Sequence, residues 1–113
     1  MANTFKMATK SSVVTDAVGS ANSNVLTAGG SSTLILLSVL VSNKGSNTAN
    51  VDAYVVTNSG DDVYLLKGVP VPAGSSLELI SGSKIIMEAS DVLRIRADTA
   101  TTLDATVSYL DQT

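Results

Sequence analysis

The stretch that decides the fold is Leu34-Ile35-Leu36-Leu37-Ser38-Val39-Leu40-Val41. An aliphatic run of this length, interrupted only by Ser38, reads as a β-strand. Side chains alternate across a strand. Strict alternation places Ile35, Leu37, Val39 and Val41 on one face and Leu34, Leu36 and Leu40 on the other. An antiparallel sheet commonly keeps one face on the core and one in water. Apart from Ser38, this strand has no residue suited to the wet face. The second face needs cover, either from another part of the chain or from another subunit. In the latter case Leu34, Leu36 and Leu40 form the contact. Each then contributes roughly 1.5–3 kcal/mol before the costs of association.

Outward from this run, the chain breaks into short β-rich segments separated by Gly, Asn, Ser, Asp and Pro, with no helical periodicity. Residues 5–8 and 13–18 are weak runs, and 19–24 read as a loop. Residues 25–28 form a short strand, Gly29-Gly30 a turn, and 33–42 the long strand. After a loop at 43–48, residues 51–57 alternate. Val51, Ala53 and Val55 share one face, and Asp52, Tyr54 and Val56 the other, which leaves Tyr54 exposed. Asn58-Ser59-Gly60-Asp61 is a turn of residues that tolerate positive φ or bond their own backbone. The next strand, 63–71, ends among Pro70 and Pro72. Proline cannot donate to a ladder, so this strand belongs at a sheet edge. Runs at 76–80, 84–88, 92–98 and 103–110 complete about eight strands.

This spacing predicts an all-β chain, a single antiparallel β-sandwich of jelly-roll or Ig-like type. Residues 25–113 form the domain, and residues 1–24 an N-terminal arm or weakly structured strands. Ala28-Gly29-Gly30-Ser31-Ser32 and Ala73-Gly74-Ser75-Ser76 echo each other as corners before strands. The last two strands read as a hairpin turning at residues 99–101. Leu93 then faces Val107, Ile95 faces Ala105 and Ala97 faces Leu103, while Arg96 meets Asp104 on the polar face.

The chain has 113 residues, seven basic and ten acidic, for a net charge of −3. This is enough for one core without staples. The charge argues against non-specific nucleic-acid binding, which needs a basic face. No segment has the apolar length of a signal peptide or of a membrane span, so the expectation is a protein made in the cytoplasm with no membrane partner. Charged residues are only 15% of the chain, and mean hydropathy is +0.30. A skin of Ser, Thr, Asn and Gly suits a protein packed against neighbours.

His, Cys and Trp are absent. No Ser-His-Asp or Cys-His arrangement can be built, and a zinc site would have carboxylates alone. Gly29-Gly30 lacks the spacing and Lys of a phosphate loop. Asp61-Asp62 is the best calcium candidate, but its spacing is not that of an EF-hand loop and a plain turn explains it. No catalytic residue, cofactor or metal ligand is expected, and an enzyme is disfavoured.

The segment from Leu37 to Asn43, the Ala49-Asn50-Val51-Asp52-Ala53-Tyr54 strand, the stretch from Tyr64 through the Pro72-Ala73-Gly74 corner to Leu77, and the closing runs from Ser90 to Arg96 and Leu103 to Leu110 together resemble small virion structural proteins of tailed bacteriophages, above all those of cyanophages and other marine phages. The resemblance covers residues 25–110. It implies a non-enzymatic β-sandwich located in the virion. Its first form is a capsid decoration or cement protein that stabilises the shell as a homo-oligomer, trimer or dimer, on the major capsid protein. The alternative is a neck, tail or fibre-base component, with a carbohydrate-binding role in host attachment. The expected subunit or lattice contact comprises Leu34, Leu36 and Leu40, joined by Phe5 and Met7 of the N-terminal segment.

Overall fold

The structure, a computed structural model, describes residues 3–15, 21–80, 85–99 and 102–112. Positions 16–18 of the run read at 13–18, loop residues 19 and 20, Lys84, and turn residues 100 and 101 lie outside the described residues. Nine strands are present among those described: β1 (Asn3–Lys10), β2 (Asn24–Thr27), β3 (Thr33–Asn43), β4 (Ala49–Val56), β5 (Asp62–Val71), β6 (Ser76–Glu78), β7 (Ile85–Met87), β8 (Val92–Ala97) and β9 (Leu103–Gln112). A 3-10 turn at Ala21–Ser23 leads into β2.

The strands form two antiparallel sheets. Sheet A has the order β1-β9-β3-β6, with β7 also pairing β3, and sheet B the order β2-β8-β4-β5. The fold is therefore all-β and a sandwich. Its pairs nest: β1 with β9, β2 with β8, β3 with β6 and β7, and β4 with β5. A long antiparallel ribbon wound over a barrel-like core gives this nesting, which is jelly-roll connectivity. The N-terminal segment contributes to it directly. Asn3–Lys10 pairs along its whole length with β9, and Val13 is fully buried in the core.

The expected hairpin between the last two strands does not form. β8 lies in sheet B and β9 in sheet A. The alternation itself is kept: Leu93, Ile95 and Ala97 point inward, as do Leu103, Ala105 and Val107. Two inward-facing sets satisfy facing sheets as well as they satisfy one hairpin, and alternation alone cannot tell these apart. Asp104 consequently pairs with Lys44, not Arg96, and Arg96 pairs with Asp52. Pro70 does lie at a sheet edge, because β5 is the outermost strand of sheet B.

The strict alternation expected of β3 is also corrected. A β-bulge interrupts its pairing with β9: Leu36 lies opposite Tyr109, and Ser38 opposite Ser108, leaving Leu37 as the extra residue. A bulge shifts the phase of alternation by one residue. Leu34 and Leu36 point into the core before it, and Val39, Val41 and Asn43 after it. Leu34 and Leu36 are 2% and 0% exposed. They are covered by sheet B of the same chain and are not available to a partner.

Glu78 holds this bulge. Its carboxylate accepts the Ser38 hydroxyl at 2.6 Å and the Val39 N–H at 2.9 Å. Burial pushes the Glu78 carboxyl up, but the Ser38 hydroxyl and the N–H groups of Val39, Ile80 and Leu79 together outweigh it and hold it below its ordinary value. A depressed carboxyl contributes stability that is full above the unfolded value, near pH 4.3, and is lost as pH falls through the lower native value. Glu78 is solvent-exposed, which screens these bonds, so Glu78→Gln should cost less than about 1 kcal/mol at pH 7. The gap to the parent should narrow in urea titrations as the pH is lowered below about 4.3.

At the end of the sandwich, Asn43 is 3% exposed. Its amide donates to the Asn47 and Val71 carbonyls, and its side-chain oxygen accepts the Gly45 N–H. These bonds tie the β3–β4 loop to the end of β5. A Cβ on Gly45 would stand 2.8 Å from Thr102, so this tight approach requires glycine. The two echoed corners both close as i to i+3 turns: Ser32 donates to the Gly29 carbonyl and Ser75 to the Pro72 carbonyl.

Candidate interaction surface

The phase shift in β3 moves a different set of apolar side chains to the outside. Partners across an antiparallel ladder share a face. Phe5 of β1 lies opposite Leu110 of β9, Leu110 opposite Ile35 of β3, and Ile35 opposite Ile86 of β7. These four residues form an apolar row across the whole outer face of sheet A. Met7, opposite Ser108, and the bulged Leu37 flank it. Phe5 is 76% exposed, Met7 66% and Ile86 61%. Of the five exposed large apolar residues among those described, only Val63 lies elsewhere.

Phe5 and Met7, expected at a contact, are thus on this face. Leu40 joins them, half-buried between Thr106 and Glu78. Leu34 and Leu36 are excluded by their burial. Ile35, Ile86 and Leu110 are the members that sequence reasoning missed. A signal for one existed: Ile85-Ile86-Met87 is apolar on both faces, as β3 is.

The outer face of sheet B is of opposite character. Asp52 accepts the Gly68 N–H at 2.6 Å and pairs with Arg96 at 2.5 Å. Arg94 donates to Asn24 at 2.6 Å. Tyr54, expected exposed, is fully buried on this face, its ring 5.2 Å from that of Tyr64 and tilted by 35°. The Lys67 ammonium lies over the Tyr64 ring. The residues opposite Tyr54 across the ladders are Tyr64 and Arg94, whose long side chains close over it. It offers no exposed aromatic platform. The polar side chains here bond one another, whereas sheet A presents unsatisfied apolar surface.

Among the described residues, two further clusters of polar side chains lie at the ends of β9. An open hollow of about 200 Å³ is lined by Thr9, Lys10, Ser11, Asp104, Ala105 and Thr106. Its one carboxylate is engaged: Asp104 takes the Lys44 ammonium at 2.8 Å and the Ser12 N–H at 2.8 Å. The Lys44 side chain, then the Ser12 N–H, hold the Asp104 carboxyl below its ordinary value. At the opposite end of β9, Asp111 bonds Lys6 and holds its ammonium above its ordinary value. Asp61, the calcium candidate, closes the β4–β5 turn, accepting the Thr57 N–H on its backbone carbonyl and donating its own N–H to the Thr57 hydroxyl. No group of three or more potential metal ligands occurs among the described residues. No helix among them is long and apolar enough to cross a membrane.

No family model matches this chain, and no curated protein matches it.

Proposed function

We propose that this chain is a non-enzymatic structural protein of a bacteriophage particle, a decoration protein that seats the outer face of sheet A on the capsid shell. The observation that carries this reading is the Phe5–Leu110–Ile35–Ile86 row. With Phe5 76%, Met7 66%, Ile86 61% and Leu37 38% exposed, the apolar patch on this face is on the order of a few hundred Å². One side of a standard interface takes about 800 Å², a little over half of it apolar. The face therefore holds about the apolar share that one stable contact requires. The polar, internally bonded face of sheet B is suited to water.

The resemblance to small phage virion proteins supports the same reading. Jelly rolls also serve in capsids, but lectins and cupins share them, so the fold adds little weight by itself. A host-attachment role through a carbohydrate platform loses its main support with the burial of Tyr54.

A reconstruction of the virion tests the proposal. Copies of the sandwich should occupy repeated lattice positions on the shell, with Ile86 and Phe5 turned toward it. Density confined to the neck or tail would replace the decoration role, and absence from the particle would end the reading.

A further inference from the structure

We propose that two copies of this chain associate edge to edge through β1, joining their A sheets into one continuous antiparallel sheet. A sheet edge presents unpaired N–H and C=O groups, and folded proteins blunt such edges. The other described edges here are blunted. β5 carries Pro70 and two register breaks, β2 is four residues with a bulge, and β6 and β7 are three residues each. β1 differs from all of them. It runs eight residues in unbroken register with β9, without proline or bulge. Its lysines do not guard the edge, because Lys6 is drawn to Asp111 on β9 and Lys10 to the Asn22 carbonyl.

Only a strand-like partner satisfies this edge, and a second copy supplies one of equal length. An antiparallel pair of identical strands is related by a two-fold axis perpendicular to the sheet, so each face of the joined sheet keeps its character. Phe5 and Met7 of one copy then lie beside Phe5 and Met7 of the other on the outer face, where cross-strand neighbours are in contact. The apolar row of each copy continues into the next. The joined sheet presents one apolar face twice as wide. This inference does not depend on a phage origin, since it concerns the isolated chain.

Sedimentation of the purified protein and of three single variants provides the test. The parent should be a dimer at micromolar concentration. Phe5→Lys and Met7→Lys place like charges together near the axis and should each weaken the dimer by about tenfold or more. Ile86→Lys, on the same face but at the far side of the sheet, should leave it unchanged. All three sites are exposed, and unchanged thermal melting will show that the monomer fold survives. Because the chain has no cysteine, single cysteines along residues 4–7 can also be oxidised, and cross-linked dimer should appear. A monomeric parent would overturn the proposal. So would loss of the dimer in Ile86→Lys to the same degree as in Phe5→Lys, which would mark packing of whole faces instead of edges.

Discussion

Leu36→Ala should destabilise the protein by about 3–4 kcal/mol, and Leu37→Ala by less than about 0.5 kcal/mol. The two leucines are neighbours in sequence and chemically identical. What separates them is the bulge, which leaves Leu36 fully buried and Leu37 38% exposed as the extra residue. Truncating Leu36 removes its transfer free energy and leaves a cavity between two sheets that cannot easily collapse. Val39→Ala adds a sharper test. Strict alternation would place Val39 with Leu37 and apart from Leu36. The bulge puts Val39 in the core with Leu36, so both truncations should be costly while Leu37→Ala is not. Urea unfolding of the three variants, compared at constant slope, reads the difference directly.

Asp52→Ala should cost about 2–3 kcal/mol. Asp52 is 9% exposed, and its two oxygens serve different partners. One accepts from Gly68, and the other from Arg96. Gly68 has φ of +64° and sits where the pairing of β4 and β5 slips between Val51 and Ala53. The carboxylate therefore fixes a left-handed residue in the edge strand and ties β5 across β4 to β8. Removing it leaves a partly buried guanidinium without its carboxylate and releases the exposed Gly68 N–H to water. The loss stays below the full cost of breaking a buried pair because Arg96 retains 21% side-chain exposure. Gly68→Ala should be destabilising as well, by about 1 kcal/mol, although open space surrounds the site, because an alanine there is strained at positive φ. Thermal melts of both variants measure these losses.

The strand segments were legible in the sequence because aliphatic runs and Gly/Asn/Pro turns are local signals. The edge position of β5 was legible from Pro70 for the same reason. Three features were not. The β8–β9 connection satisfies one hairpin or two facing sheets with the same alternation, and only the competition of β1, β2, β3 and β4 for partners decides between them. The bulge at Leu37 has no glycine or proline to announce it. It follows from Ser38, Val39 and the distant Glu78 coming together in the folded chain. The burial of Tyr54 depends on Tyr64 and Arg94, which the pattern of β4 alone does not reveal. In the contact surface, Phe5 and Met7 could be read from an apolar terminal run, while the inner members were assigned to the wrong side by the undetected phase shift.

In the proposed role, the outer face of sheet A, not that of sheet B, meets the particle. Thiol labelling of two single-cysteine variants, in the free chain and on purified virions, tests it most directly, since the parent has no cysteine to interfere. Ile86→Cys reports on the apolar face of sheet A, and Lys67→Cys on sheet B beside Tyr64. Labelling of Ile86→Cys should slow about tenfold or more on the particle, while Lys67→Cys should react as fast as in the free chain. Protection of Lys67→Cys with Ile86→Cys left reactive would contradict the assignment of the contact face.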